Sequence, residues 1–155
     1  MQTCHQVILA ARSPVFKAMI QAEMKEKQTK KIVIKDSNPR TVAGMLKFMY
    51  SGDISRDEMD EIASDLLAVA EKYEMNDLKN MCEESLCSTL SVENSIERLV
   101  LGDFHNATKL KKMALELVAK NMRKIVDTDV YKDLFTQKPA LAWEVTKVKS
   151  QDDDI

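Results

Sequence analysis

The sequence predicts an α+β fold that is mainly α-helical, and three features of the chain favour it. Three glycines and three prolines among 155 residues leave few positions at which a helix has to stop. Hydrophobic residues at 45% and charged residues at 31% are typical of one globular domain, with or without a helical appendage. The β component rests on one β-branched run, residues 31–35 (Lys-Ile-Val-Ile-Lys).

The first two predicted elements are a short helix and this strand. Ser13 supplies a side-chain acceptor at an N-cap and Pro14 presets φ at the first helical position, so a helix should run from there to about Ala22. Residues 31–35 then form the strand, which ends in the turn residues 36–39 (Asp-Ser-Asn-Pro).

Two longer helices are expected next. Asn38 and the proline after it repeat the capping signal, and their helix should end at Tyr50, ahead of Gly52 at a position that favours positive φ. Ser55 and Glu58 have the spacing of a capping box, in which Ser55 accepts from the N3 amide and Glu58 reaches back to the cap. An amphipathic helix should follow directly.

The second half of the chain predicts further helices. Asn76 should cap the next helix, and Ser91 should cap another, without any linker rich in Pro, Gly or Ser before it. Docked helical units are therefore expected. Apolar spacing predicts the remaining helices at residues 110–125, 130–135 and 141–148.

Charge and cysteine usage limit the classes of partner and compartment. The net charge of -2, with acids and bases interspersed, offers no broad positive field for nucleic acid or anionic lipid. Cys4, Cys82 and Cys87 are an odd number, and no apolar signal segment lies near Met1, so a reducing compartment is expected. The sequence predicts a soluble protein of the nucleus or the cytoplasm, without membrane spans.

Catalytic, metal and nucleotide sites find no support in the sequence. Cys82 and Cys87 diverge by about 140° on a helix, so both are expected to be small core residues and not zinc ligands. His5 and His105 have no nucleophile motif around them, and the glycines are too isolated to form a phosphate loop. No catalytic residue, cofactor or metal is therefore expected.

Two other segments allow a functional interpretation. A basic series could contact nucleic acid, but Glu116 interrupts it and no aromatic residue interleaves, so a solvated helix face is favoured. Met24 lies in a polar run, where it is either a stray exposed residue or an anchor for a partner's pocket with Glu26 beside it. The basic series comprises Lys109, Lys111, Lys112, Lys120, Arg123 and Lys124.

Residues 5–16 (His-Gln-Val-Ile-Leu-Ala-Ala-Arg-Ser-Pro-Val-Phe) resemble the signature of the BTB (POZ) domain. His5, Leu9, Ser13 and Phe16 stand at its characteristic places. The chain is most similar to the speckle-type POZ branch, and from Ser91 onward it resembles the start of that branch's BACK helices. The other segments that resemble the family are residues 45–52, 66–73, 78–83, 82–86 and 90–94.

The resemblance implies a POZ fold with few short strands, followed by BACK-like helices. It places a BTB/POZ domain at residues 1–90, a BACK-like helical region at 91–149 and an acidic tail at 150–155. It also implies a non-catalytic substrate adaptor of cullin-3 ubiquitin ligases, which promotes ubiquitination and proteasomal degradation of its substrates.

The same resemblance implies the residues that contact the amino-terminal domain of cullin-3. The family's hydrophobic-x-Glu motif falls on Met24 and Glu26, and both informative positions are kept. The junction of two later helices supplies the rest of the surface. Its residues are Tyr73, Glu74, Met75, Asn76 and Asp77.

Two departures from the family pattern shape the expectations. A complete domain has an opening helix and two strands before the residue matching His5, and speckle-type proteins also carry a MATH domain, which this sequence is expected to lack. Homodimerisation should then be weakened, although Ile8 matches a position lining the dimer interface. Apolar surface should be exposed on Ile8, Leu9 and Val33.

A second class of function remains open from the sequence. The chain would in that case be a self-associating BTB scaffold or a transcriptional co-regulator that recruits no ligase. A chain that holds cullin without reading a substrate would be a competitor of complete adaptors.

Overall fold

The computed structural model describes residues 4–26 and 32–153, and their contacts divide them into two compact units. The first unit ends at Ser85 and the second begins at Leu86, inside a helix that both units share. The helices that begin in the first unit are α1 (Gln6–Arg12), α2 (Pro14–Glu26), α3 (Pro39–Ser51), α4 (Arg56–Lys72) and α5 (Asn76–Ser88).

The second unit is formed by the end of α5 and five further helices. Their apolar faces enclose a core to which Leu99, Val118, Leu134 and Val145 contribute. In the described part of the chain, no helix is long and apolar enough to cross a bilayer. The five helices are α6 (Ser95–Phe104), α7 (Thr108–Lys120), α8 (Met122–Ile125), α9 (Asp129–Gln137) and α10 (Pro139–Asp153).

The prediction of a strand at residues 31–35 is wrong. Residues 32–35 have no regular secondary structure, and no strand occurs among residues 4–26 and 32–153. β-Branched residues favour strands only where they pack on a pleated, half-buried surface and pair with a second strand. Val33 is 69% exposed, so its side chain has no such surface. The described fold is therefore helical throughout, and its expected few short strands are absent.

The helix starts that combine a polar cap with proline are confirmed. Ser13 accepts a hydrogen bond from the Phe16 amide at 3.2 Å, and α2 begins at Pro14 and continues past the predicted end. At the start of α3, the Asn38 side chain accepts a hydrogen bond of 2.9 Å from the Arg40 amide. Gly52 follows α3 with φ of 76°, a conformation that side chains with a Cβ rarely adopt.

The predicted capping box is wrong in detail. Ser55 is the N-cap of α4, but its side chain makes no capping hydrogen bond. Glu58 does not reach back, because its carboxylate lies 2.6 Å from the Lys47 ammonium on α3. An ion pair between two packed helices has replaced the local contact.

Three other predicted boundaries also shift. α5 begins at Asn76 itself, since the Met75 carbonyl accepts the first helical bond from Lys79. The helix expected after Ser91 begins at Ser95, because the Asn94 side chain accepts from the Ser91 amide and closes a turn. The single helix expected at residues 110–125 is two helices, α7 and α8, separated at Asn121.

Side chains from four helices, α2 to α5, form the centre of the first unit. Met45, Met49 and Met59 are buried in this unit, whereas Met81 is half-buried. The largest fully buried residues of the first unit are Phe16, Thr41, Met45, Met49, Leu66, Leu67 and Leu78.

Cys82 on α5 is buried as a small core residue, and its ionisation should limit stability at high pH. Burial raises the pKa of its thiol to about 12. An unfolded thiol ionises near pH 8.5, so above about pH 9 the unfolded chain gives up this proton and the folded chain keeps it. We expect this thiol to lower the free energy of unfolding by about 1.4 kcal/mol per pH unit up to about pH 12.

The test compares urea unfolding of the native chain and of the Cys82→Ala variant at pH values below and above about 9. The native chain should lose stability more steeply as the pH rises through the window. Parallel curves for the two proteins would show that the thiol ionises equally in the folded and unfolded chains.

Candidate partner-binding surface

Besides exposed Glu74, four of the residues implied in cullin binding lie at the turn between α4 and α5. Tyr73 and Met75 are buried, so their side chains form the base of the turn. Asn76 and Asp77 are exposed in the first turn of α5. The structure therefore separates these positions into two that support the surface and two that a partner can reach.

The turn itself has the geometry of a Schellman motif. The Met75 amide donates to the Ala70 carbonyl at 2.8 Å, and the Glu74 amide donates to the Glu71 carbonyl at 3.1 Å. Glu74 adopts φ of 52°, in the left-handed region. These bonds satisfy the last carbonyls of α4 and fix the direction in which α5 leaves.

Glu74→Gly should raise the free energy of unfolding by about 0.5 kcal/mol, because a left-handed residue with a Cβ carries a strain that glycine lacks. The gain is smaller than the strain, since glycine also makes the unfolded chain more flexible. Thermal unfolding provides the measurement. Asn106 is a matched control, because it occupies the same position after α6 with φ of 52° and asparagine tolerates it. A larger gain from Asn106→Gly would contradict the expectation.

The start of α2 is fastened to this turn by one hydroxyl group and one aromatic pair. The Ser13 hydroxyl donates to the Tyr73 carbonyl at 2.6 Å while it accepts from the Phe16 amide. The rings of Phe16 and Tyr73 are stacked, with centroids 4.2 Å apart and planes 9° from parallel. The two segments therefore form one rigid base beneath Asn76 and Asp77.

A polar cleft that the sequence did not reveal borders the same turn. Lys72 at the end of α4 bonds the Asp36 carboxylate at 3.0 Å, and this hydrogen bond raises the pKa of Lys72. The two residues are distant in the sequence and carry no motif, so only the fold brings them together. The cleft has a volume of about 230 Å³ and is lined by Asp36, Ser37, Asn38, Thr41, Asp65, Ala68, Val69 and Lys72.

Met24 and Glu26 belong to the last turn of α2. Their side chains lie outside the described part of the structure, so only their backbone positions along the helix can be compared with the expectation. At 1.5 Å per residue, Met24 lies about 12 Å along α2 from Phe16. The helix that carries the hydrophobic-x-Glu motif is thus the helix fastened to the α4–α5 turn.

Ile8, the residue implied in dimerisation, lies on α1. Its side chain is half-buried, while the neighbouring Val7 is 79% exposed. The expectation of exposure is wrong for Leu9, which is buried. The His5 amide donates to the Tyr50 hydroxyl at 2.7 Å and joins α1 to α3.

The surface at the start of α5 is polar. Within the described ranges, no three His, Cys, Asp or Glu side chains are grouped closely enough to hold a metal ion. Exposed Asn76 and Asp77 present an amide, which can donate and accept hydrogen bonds, and a carboxylate, which accepts them.

Comparison with known proteins identifies a family and two relatives. The family model described as BTB/POZ domain matches residues 2–90. TD and POZ domain-containing protein 1 of Mus musculus is 39% identical over 140 residues, which are 90% of this chain and 38% of the relative. TD and POZ domain-containing protein 4 of Mus musculus is 38% identical over 140 residues, with the same coverage. The chain thus spans about 38% of the length of these relatives.

Proposed function

The chain belongs to the BTB/POZ domain family, and on that premise we propose that it is a non-catalytic adaptor of cullin-3 ubiquitin ligases. The observation that carries the proposal is the fastening of α2 to the α4–α5 turn by Ser13, Phe16 and Tyr73. It holds the helix with the hydrophobic-x-Glu motif in a fixed position relative to exposed Asn76 and Asp77. A rigid, preformed surface loses little entropy on binding.

The dimensions of the surface suit a protein partner. A standard interface covers about 800 Å² on each partner, a patch about 30 Å across. The backbone of Met24 lies about 12 Å along α2 from that of Phe16, whose ring stacks on Tyr73. One partner can therefore touch the end of α2 and the first turn of α5 at the same time.

The proposal assigns different roles to the implied residues. Met24 is the apolar anchor and Glu26 its polar neighbour. Asn76 and Asp77 contact the cullin at the edge of the patch, where they are exposed. Tyr73 and Met75 are positioning residues, since both side chains are buried.

The domain boundaries remain part of the proposal. Residues 1–90 form the BTB/POZ domain that holds the cullin, residues 91–149 form a BACK-like helical region, and residues 150–155 form an acidic tail. Ubiquitination and proteasomal degradation of bound substrates follow from this adaptor role, in the nucleus or the cytoplasm.

The test is calorimetric titration of the chain with the amino-terminal domain of cullin-3. Met24→Ala and Glu26→Lys should each weaken binding by about ten-fold or more, because central anchors dominate interface energies. Glu116→Lys is the matched control, since it makes the same charge change at an exposed position in the second unit. Unchanged affinity in both α2 variants would contradict the assignment of Met24 and Glu26 to the cullin contact. No measurable affinity in the native chain would contradict the proposed function.

A self-associating scaffold or transcriptional co-regulator is the second candidate, and α1 favours it. Val7 is 79% exposed beside half-buried Ile8, so α1 presents apolar surface of the kind that a second copy could cover. Sedimentation equilibrium distinguishes the candidates. Dimers that Val7→Asp dissociates, combined with no measurable cullin binding, would favour the scaffold.

A further inference from the structure

The second unit contains a cleft whose lining carries one sign of charge. It has a volume of about 480 Å³ and lies where the end of α7, the short helix α8 and the end of α10 meet. Lys149 comes from α10, and the other lining residues come from the region where α7 gives way to α8. The lining residues are Ala119, Lys120, Asn121, Met122, Arg123, Lys124 and Lys149.

Lys111 and Lys138 of this unit form ion pairs, whereas the four cations of the cleft form none with a described residue. Lys111 lies 2.9 Å from the Asp103 carboxylate. Among the residues that the structure describes, no carboxylate lines the cleft. Hydrogen bonds from its own amide and from Ser91 lower the pKa of Glu93, and the charge of Lys124 adds a smaller effect. A cleft lined by charges of one sign concentrates the field and attracts the opposite charge.

The break between α7 and α8 creates this arrangement. The Asn121 side-chain amide donates to the Leu117 carbonyl at 2.9 Å, at the point where α7 ends. Ala119 and Met122 are buried and form the floor of the cleft. Lys120 and Arg123 are exposed on either side of Asn121, so their charges remain in solvent. The sequence predicted a solvated helix face here, because the contribution of Lys149 from a distant helix could not be seen.

We propose that this cleft docks an acidic peptide segment of a partner protein. Carboxylate side chains match the four cations, and aliphatic stems match the apolar floor. Nucleic acid fits less well, because no aromatic side chain among the described lining residues can stack on a base. The proposal is independent of cullin binding, because it concerns the second unit and none of the residues of the α2 and α4–α5 surface.

Fluorescence anisotropy of the full chain with a labelled oligoglutamate peptide tests the proposal. The triple variant Lys120→Glu, Arg123→Glu, Lys149→Glu should weaken binding by about ten-fold or more, because each reversal replaces an attraction with a repulsion. The matched control reverses three exposed lysines that do not line the cleft, Lys109, Lys112 and Lys132, and should change the affinity by about two-fold at most. Added salt should weaken binding of the native chain.

Three outcomes would overturn the proposal. The first is equal affinity in the cleft variant and the control variant, with both shown to be folded by circular dichroism. The second is tighter binding of single-stranded RNA than of oligoglutamate. The third is a large gain in peptide affinity when Asp152, Asp153 and Asp154 are changed to Asn, because the chain's own acidic run would then be the occupant.

Discussion

Replacing Phe16 by Ala is expected to lower the free energy of unfolding by about 4 kcal/mol. The Phe16 ring is 1% exposed and stacks on Tyr73, so its removal leaves a cavity that the surrounding helices can fill only in part. The loss combines the transfer free energy of the ring, the cavity and the stacking contact. The free energy of unfolding of a typical domain is only about 5–15 kcal/mol. Much of the first unit should therefore unfold near body temperature in this variant.

Urea denaturation followed by circular dichroism measures this effect. Phe135→Ala is the matched control, because Phe135 is 62% exposed and its loss creates no cavity. Phe135→Ala should lower the free energy of unfolding by less than about 1 kcal/mol. Equal losses in the two variants would show that Phe16 is not a core residue. The Phe16→Ala variant should also bind cullin less well, since the ring supports the α4–α5 turn.

Gly102→Ala is expected to destabilise the second unit by about 2 kcal/mol. A Cβ at this position would lie 2.7 Å from the Lys111 amide nitrogen and 3.0 Å from its Cα, both backbone atoms of α7. These atoms move only if α7 moves away from α6. The strain therefore exceeds the gain of about 1 kcal/mol that alanine brings to a helix interior.

Gly44→Ala on α3 is the matched control for this clash. Its Cβ would meet the Ile62 side chain, whose terminal methyl lies 2.5 Å away and can move by a change of rotamer. Thermal unfolding should therefore show a smaller loss for Gly44→Ala than for Gly102→Ala. A Gly102→Ala variant as stable as the native chain would mean that α6 and α7 do not approach so closely.

The elements predicted correctly are those whose signals are local. The cap at Asn38 and the positive φ at Gly52 depend on neighbouring residues alone, so the sequence contains them. The strand at residues 31–35 failed because β structure requires a partner that propensity cannot supply. The capping box at Ser55 failed because Glu58 found a stronger partner in Lys47 on another helix.

In the candidate site, too, the local sequence signals were predicted and the features that depend on packing were not. The resemblance at residues 5–16 led to the family that the comparison then confirmed. It could not show that Tyr73 and Met75 are buried while Asp77 is exposed, since this depends on packing against α2. The basic cleft was missed because Lys149 joins the other cations only after α10 has packed.

The Ser13 hydroxyl also sets an order for the folding of a newly made chain. Its bond to the Tyr73 carbonyl spans 60 residues, so α2 is fastened only after α4 has been synthesised. Closing a loop of that length costs roughly 3–4 kcal/mol of chain entropy, which local helical contacts do not repay. The Phe16 ring therefore lacks its stacking partner on the ribosome until residue 73 emerges, and apolar surface left exposed in that interval favours aggregation.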